Sequence, residues 1–169
     1  MHDFLKIKLS PYWIGAVSEK EKLVKIFICG SQKDLLSSLG AALKPQAGSS
    51  FLLKRLKQDL LGYWQGERVN FIAYPLKLGG YSPFQRKVWR VTQEIPYGKV
   101  RSYKWIAKRM GIKGYRAVGQ ALAQNPFPLI IPCHRVIKEG PSLGGFSAGI
   151  EIKRKLLEKE GINLACLPE

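Results

Sequence analysis

Apolar and polar positions alternate with period two through three segments near the start of the chain, residues 4–9, 12–18 and 23–29. Their β-branched and aromatic content predicts strands. The period then lengthens. Residues 34–43 and 50–63 carry apolar positions at helical spacing, and in the second segment Leu53, Leu56, Leu60 and Tyr63 or Trp64 mark one buried face. Residues 69–73 read as one more short strand. A proline and a Gly-Gly pair then interrupt the pattern. The expected division is a domain over 1–75, a linker over 76–81 and a domain over 82–169.

The second half has the helical period throughout. Ser82 before Pro83 is an N-cap followed by proline in the first helical position. Phe84, Val88, Val91 and Ile95 form the stripe of that helix, which Pro96-Tyr97-Gly98 ends. Ser102 caps a second helix that runs to Met110. A turn, Gly111-Ile112-Lys113-Gly114, leads into a third helix from Tyr115 to Gln124, halted by Asn125-Pro126. Helix, glycine turn and helix is helix-turn-helix spacing, which many helical hairpins share. A last helix spans about 149–160. The fold class is therefore α+β: a small antiparallel sheet with helices, then a mostly helical domain carrying a helix-turn-helix.

Two helix faces bear on function. At 100° per residue, Val118, Ala121 and Leu122 of the third helix point into the core together. Arg116, Gly119, Gln120 and Ala123 form the opposite face, which is small apart from one arginine. Such a face fits close approach to a DNA groove or to a protein neighbour. In the last helix, Ile152, Leu156 and Leu157 form the buried stripe, and Lys153, Lys155, Glu158 and Lys159 read onto other faces. Glu160 continues the stripe inward, where a carboxylate needs a partner. Its place near a helix end also fits a solvated side chain.

Charge narrows the partner. The chain has 28 Lys and Arg against 12 Asp and Glu, a net of +16. Residues 82–169 hold 16 basic and 6 acidic residues. This excess favours a polyanion, nucleic acid ahead of an anionic membrane surface, although a solvated lysine-rich surface would carry it too. No apolar run approaches the ~20 residues that span a bilayer, so no membrane association is expected. The N-terminus lacks a secretion pattern. A cytoplasmic monomer is expected, nucleoid-associated if the source is prokaryotic. Three widely spaced cysteines do not make a disulfide framework. Cys29 reads as packing and Cys166 as a tail residue. No cluster has metal-ligand spacing.

Residues 130–136, Ile-Ile-Pro-Cys-His-Arg-Val, hold the strongest chemical signal. The only histidine apart from His2 directly follows Cys133. A neighbouring base lowers the thiol pKa from about 8.5 and makes a nucleophile. Taken alone, the pair also fits a buried, inert cysteine beside a surface histidine.

The wider segment resembles the O6-alkylguanine-DNA alkyltransferases, suicide proteins of DNA repair. The similarity lies in Pro132-Cys133-His134-Arg135-Val136, with Arg116-Ala117-Val118-Gly119 and Asn125-Pro126 before it. Gly145-Phe146-Ser147-Ala148-Gly149 and Glu160-Gly161 follow, in the family order. The match covers 82–162; the first 75 residues agree only in length and general pattern. The resemblance implies a ribonuclease H-like N-terminal part and no cofactor. It implies transfer of an alkyl group from O6-alkylguanine, and from O4-alkylthymine, in double-stranded DNA to Cys133, once per molecule.

By the same resemblance, His134 activates the thiol through a water, Glu160 holds His134, Tyr103 assists the departing guanine, and Asn125 braces the turn. Arg116 takes the place of the flipped nucleotide. Ala117, Gly119, Gln120, Arg135 and Ser102 join it at the DNA. Val136, Phe146, Ser147 and Tyr103 form the base pocket. Phe146 replaces a frequent tyrosine and Ala148 a frequent glycine, which bears on bulky adducts. Some relatives hold a structural zinc; here only His2 and Cys29 offer ligands, so no metal is expected. The rival expectations are a non-enzymatic binder of alkylated bases and a cysteine hydrolase.

Overall fold

The computed structural model describes residues 2–40, 50–140 and 142–166, which form two compact units, Met1–Leu78 and Gly79–Glu169. The boundary falls inside the stretch expected as a linker. Half of that stretch is tied down: Lys77 N donates to Leu23 O and Leu23 N to Pro75 O, both at 2.8 Å.

In the first unit, β1 (Asp3–Leu9), β2 (Tyr12–Glu19) and β3 (Lys22–Cys29) form an antiparallel sheet in that order. Lys20 and Glu21 both have positive φ, so the β2–β3 hairpin turns without glycine. Helix α1 (Gln32–Leu39) packs on β2 and β3. Gly15 makes room for it, because a Cβ there would lie 2.5 Å from a Leu35 methyl. Helix α2 (Phe51–Trp64) covers the other face with Leu53, Leu56, Leu60 and Tyr63, and Ser50 caps it by accepting from Leu53 N. Expected residues 41–43 of the first helix lie outside the described residues. Segment 69–73 is not a strand. Asn70 Oδ1 accepts from Ile72 N at 3.0 Å and starts a 3-10 turn, Phe71–Ala73, instead.

The second unit begins with α3 (Pro83–Gln93), held by a full capping box between Ser82 and Gln85. Its buried face is Val88, Trp89, Val91 and Thr92, whereas Phe84 is 36% exposed. Val88, Val91 and Ile95 of the expected stripe are buried; only Phe84 in the first turn is not, and Trp89 joins the core, donating from Nε1 to Ala121 O at 2.9 Å. Helices α4 (Tyr103–Met110) and α5 (Tyr115–Ala123) pack on each other and on α3. Gly111, at φ 72°, closes α4 in the left-handed conformation. Two short parallel strands, β4 (Arg101–Ser102) and β5 (Val136–Ile137), place the start of α4 beside the turn that follows Pro132. Helix α6 (Ile150–Lys159) closes the unit. Among the described residues, no helix is long and apolar enough to cross a membrane.

Candidate functional site

Cys133 opens a 3-10 turn, Cys133–Arg135, on the floor of a cavity of about 760 Å³. The thiol is only 6% exposed. Asn125, just past α5, fixes the turn from one side: its amide donates to Ile131 O at 3.0 Å and to Cys133 Sγ at 3.1 Å. Its oxygen accepts from Phe127 N at 2.9 Å, so the whole side chain is used. Leu129 stands at φ 75° within the loop between Asn125 and the thiol. A bulky residue adopts that backbone only where its surroundings enforce it; here Ile131 N closes the loop onto Phe127 O at 2.8 Å.

Behind the thiol lies a buried charged cluster. His134 Nε2 meets Glu160 Oε1 at 2.8 Å. Arg135 grips the same carboxylate through Nε and Nη2, and Gly98 N donates to Glu160 Oε2 at 3.0 Å. Gly98 must be glycine, because it has φ 72° and a Cβ would lie 3.1 Å from the Glu160 carbonyl. Burial pushes the Glu160 carboxyl up. The hydrogen bonds from His134 and Arg135, together with the Arg135 guanidinium charge, outweigh that and hold it at about 2. A permanent carboxylate makes Nε2 of His134 the protonated nitrogen and leaves Nδ1 as a lone pair. Nδ1 is buried and has no hydrogen-bond partner among the described residues. Burial pushes the imidazole pKa down against the pull of Glu160, and it pushes the Cys133 thiol up, partly offset by Asn125 and Lys153. At rest, a neutral thiol therefore adjoins a neutral base.

The cavity walls come from four segments, one of them Lys138 and Glu139 after β5. Ser102 and Tyr103 stand at the start of α4, Arg116 and Gly119 on α5, and Gly145, Phe146 and Ser147 in the loop before α6. Burial raises the Tyr103 pKa and the Cys133 sulfur adds to it, so the phenol keeps its proton. Gly144 packs on Tyr103: a Cβ there would lie 3.1 Å from the phenol oxygen. Ala117 and Gln120 are exposed on α5 but lie outside the cavity wall.

Two expectations change. Arg135 is not placed to meet DNA: it is 7% exposed, forks onto Glu160 and donates from Nη1 to Ile95 O at 2.8 Å. A buried carboxylate needs more positive charge than a neutral histidine supplies, and Arg135 supplies it. The Val136 side chain is fully buried, which leaves only its backbone to hold a base.

Lys153, expected on a face other than the buried stripe, is 0% exposed. Its ammonium donates to Val136 O at 2.5 Å, Leu143 O at 2.6 Å and Gly145 O at 3.2 Å. It thus ties the pocket loop and β5 to α6. Burial pulls its pKa down to about 8 while the Cys133 sulfur pulls the other way. Spacing held the signal, since Lys153, Leu157 and Glu160 fall at i, i+4 and i+7. No three or more His, Cys, Asp or Glu side chains gather as a metal site among the described residues.

Comparison with known proteins agrees with this geometry. Residues 83–162 match the family model for the DNA-binding domain of 6-O-methylguanine DNA methyltransferase. A methylated-DNA–protein-cysteine methyltransferase of Metallosphaera sedula is 40% identical over 154 residues, 90% of each chain. One of Saccharolobus solfataricus is 47% identical over 116 residues, 69% of this chain and 73% of the relative. The crystal structure of the O6-methylguanine-DNA methyltransferase of Pyrococcus kodakaraensis superimposes with TM-score 0.79 at 25% identity, covering 96% of this chain and all of that one. The Mycobacterium tuberculosis protein solved in complex with DNA gives 0.77 at 32% identity, covering 94% of this chain and 92% of that one. With its cysteine turn, its histidine-carboxylate pair and likeness of this extent, the chain belongs to the O6-methylguanine-DNA methyltransferase family.

Proposed function

We propose that the protein repairs double-stranded DNA by taking the alkyl group of O6-alkylguanine onto Cys133, once per molecule. The observation that carries this reading is a buried cysteine on the floor of a cavity of about 760 Å³, followed in the chain by a buried histidine that is hydrogen-bonded to Glu160. Catalysis needs a thiolate only while the lesion is in place. His134 Nδ1 takes the thiol proton through a bridging water, and Glu160 stabilises the imidazolium. The sulfur attacks the alkyl carbon, the carbon–oxygen bond breaks, and the electron pair leaves on guanine. Guanine gains one proton, with Tyr103 donating toward it, and this balances the one lost by the thiol. The thioether product is stable, so the nucleophile is not regenerated.

DNA engagement is assigned to α5. Arg116 is exposed at its start and fills the gap left by the flipped nucleotide, limiting an unstacking cost of a few kcal/mol. Gly119 supports a close approach. A Cβ there would meet nothing nearer than the Tyr103 ring at 3.8 Å, so the fold itself does not require glycine. The expected state is a monomer in the cytoplasm. The test is intact-mass measurement after incubation with an oligonucleotide carrying O6-methylguanine. A gain of one methyl group per protein, lost in Cys133→Ser and capped at one equivalent, supports transfer. Multiple turnover would point to a hydrolase, and binding without mass gain to a passive binder.

A further inference from the structure

Two consecutive side chains at the start of α5 stand at the cavity mouth without polar or ring partners among the described residues. Arg116 is one; Tyr115, the first residue of the helix, is the other. Tyr115 is 55% exposed, more than any other aromatic side chain described in the second unit. Its ring makes no hydrogen bond, ring contact or cation contact among the described residues. Other rings nearby are engaged: Trp105 lies between Arg101 and Arg109, Tyr97 lies against Arg135, and Tyr81 packs edge-on against Trp89. Leaving this much of a ring in water forgoes the gain of burying it. The fold gains nothing visible from Tyr115 in return.

The chemistry of the site says what would cover it. Lys104 and Arg116 already supply cations at this rim. A tyrosine hydroxyl can donate to a phosphate, but so can these cations; what the ring adds is a flat face on which a base stacks. Successive helix positions diverge by about 100° with a rise of about 1.5 Å. Tyr115 and Arg116 therefore cannot enter one gap and must straddle it. The approach is clear, since Gly114 in front has no Cβ and one built there would meet nothing within 4 Å.

We infer that Tyr115 is a second wedge: its ring stacks on the base beside the gap that Arg116 enters and holds the opened duplex apart while the lesion sits over Cys133. This rests on the alkyl-transfer reading above. A ring that holds DNA open contributes nothing once the base is already free.

The test compares wild type, Tyr115→Ala and Tyr115→Phe in single-turnover repair of a methylated duplex and in reaction with free O6-benzylguanine. Tyr115→Ala slows duplex repair by about tenfold, the equivalent of ~1.4 kcal/mol of lost stacking. Tyr115→Phe restores it, and the free base reacts equally with all three. With 2-aminopurine placed next to the lesion, wild type and Tyr115→Phe quench the fluorescence and Tyr115→Ala leaves it bright. Equal duplex rates for wild type and Tyr115→Ala overturn the proposal, as does an equal loss on the free base, which would make the ring structural. Failure of wild type to accept methyl from DNA would instead overturn the alkyl-transfer reading itself.

Discussion

Among the described residues, the first unit buries one polar side chain, Ser18, and the second buries six: Thr92, Asn125, His134, Arg135, Lys153 and Glu160. Ser18 lies near Ser50, Oγ to Oγ 3.3 Å, beside the start of α2. Thr92 donates to Val88 O on its own helix. The other five surround the Cys133 turn or tie down the loop over it. A core that only needs stability is built from apolar groups, as in β1–β3 with α2. Buried polar groups cost free energy unless every one is paired, so their concentration in one unit marks where chemistry has been built in.

The strongest test of this contrast is Cys133→Ser. Transfer should vanish while the melting temperature and undamaged-DNA binding stay near wild type, because affinity resides in phosphate contacts. Measurable methyl transfer by this variant would remove Cys133 from its role. Glu160→Gln comes next. It leaves Arg135 buried without its counter-charge, a loss of about 3–5 kcal/mol in a denaturant titration. The surviving folded protein should transfer more slowly, with its rate–pH profile moved upward, since the thiol must then ionise without a supported base. Acid gives a second reading. The Glu160 carboxyl is held at about 2, below its unfolded value. Its contribution is complete above the usual carboxylate range and is lost as pH falls from about 4.5 toward 2. Wild type should lose stability over that window more steeply than Glu160→Gln.

Leu56→Ala probes the other core. Leu56 is 0% exposed in the first unit, and its truncation should cost about 2–5 kcal/mol. Transfer by the protein that remains folded should be unchanged; a slowed rate at full folding would break the division of labour. Lys153→Met strands the carbonyls of Val136, Leu143 and Gly145, at about 1–3 kcal/mol. Hydrogen exchange should rise at 143–145 and duplex repair should slow, while Cys133 still reacts with iodoacetamide. Unchanged exchange there would show that the loop holds itself. The smallest effect is expected from Gly119→Ala, which should raise stability by under about 1 kcal/mol, as alanine favours a helix. It should weaken duplex binding nonetheless, and a rise in both would place α5 away from the groove.

Much of this was legible from period alone. The three strands, α2, α4, α5 and α6 are continuous amphipathic segments, and Ser50, Ser82-Pro83 and Ser102 start helices where such residues should, although α5 and α6 begin at glycines that give no side-chain cap. Two readings changed: Lys153 was placed on a face away from the buried stripe, and Arg135 was assigned to DNA by resemblance. Their burial depends on acceptors elsewhere in the chain, three carbonyls for one and the Glu160 carboxylate for the other; helical spacing hinted at the burial of Lys153 but named no acceptor for either. Segment 69–73 failed for a local reason, since one asparagine side chain outbid a strand for the backbone. The Gly98 contact with Glu160 joins residues 62 apart and had no local signature.

The depth of Cys133 has a last consequence. A thiol on the surface that formed a disulfide or a thioester could be restored by a cellular reductant or a passing nucleophile. Here a carbon–sulfur bond forms inside the fold, on a sulfur already in contact with the Asn125 amide. Each molecule is then a record of a single event, and resistance to this lesion is a matter of head count: it is set by how many copies a cell holds when damage arrives and how quickly it makes more.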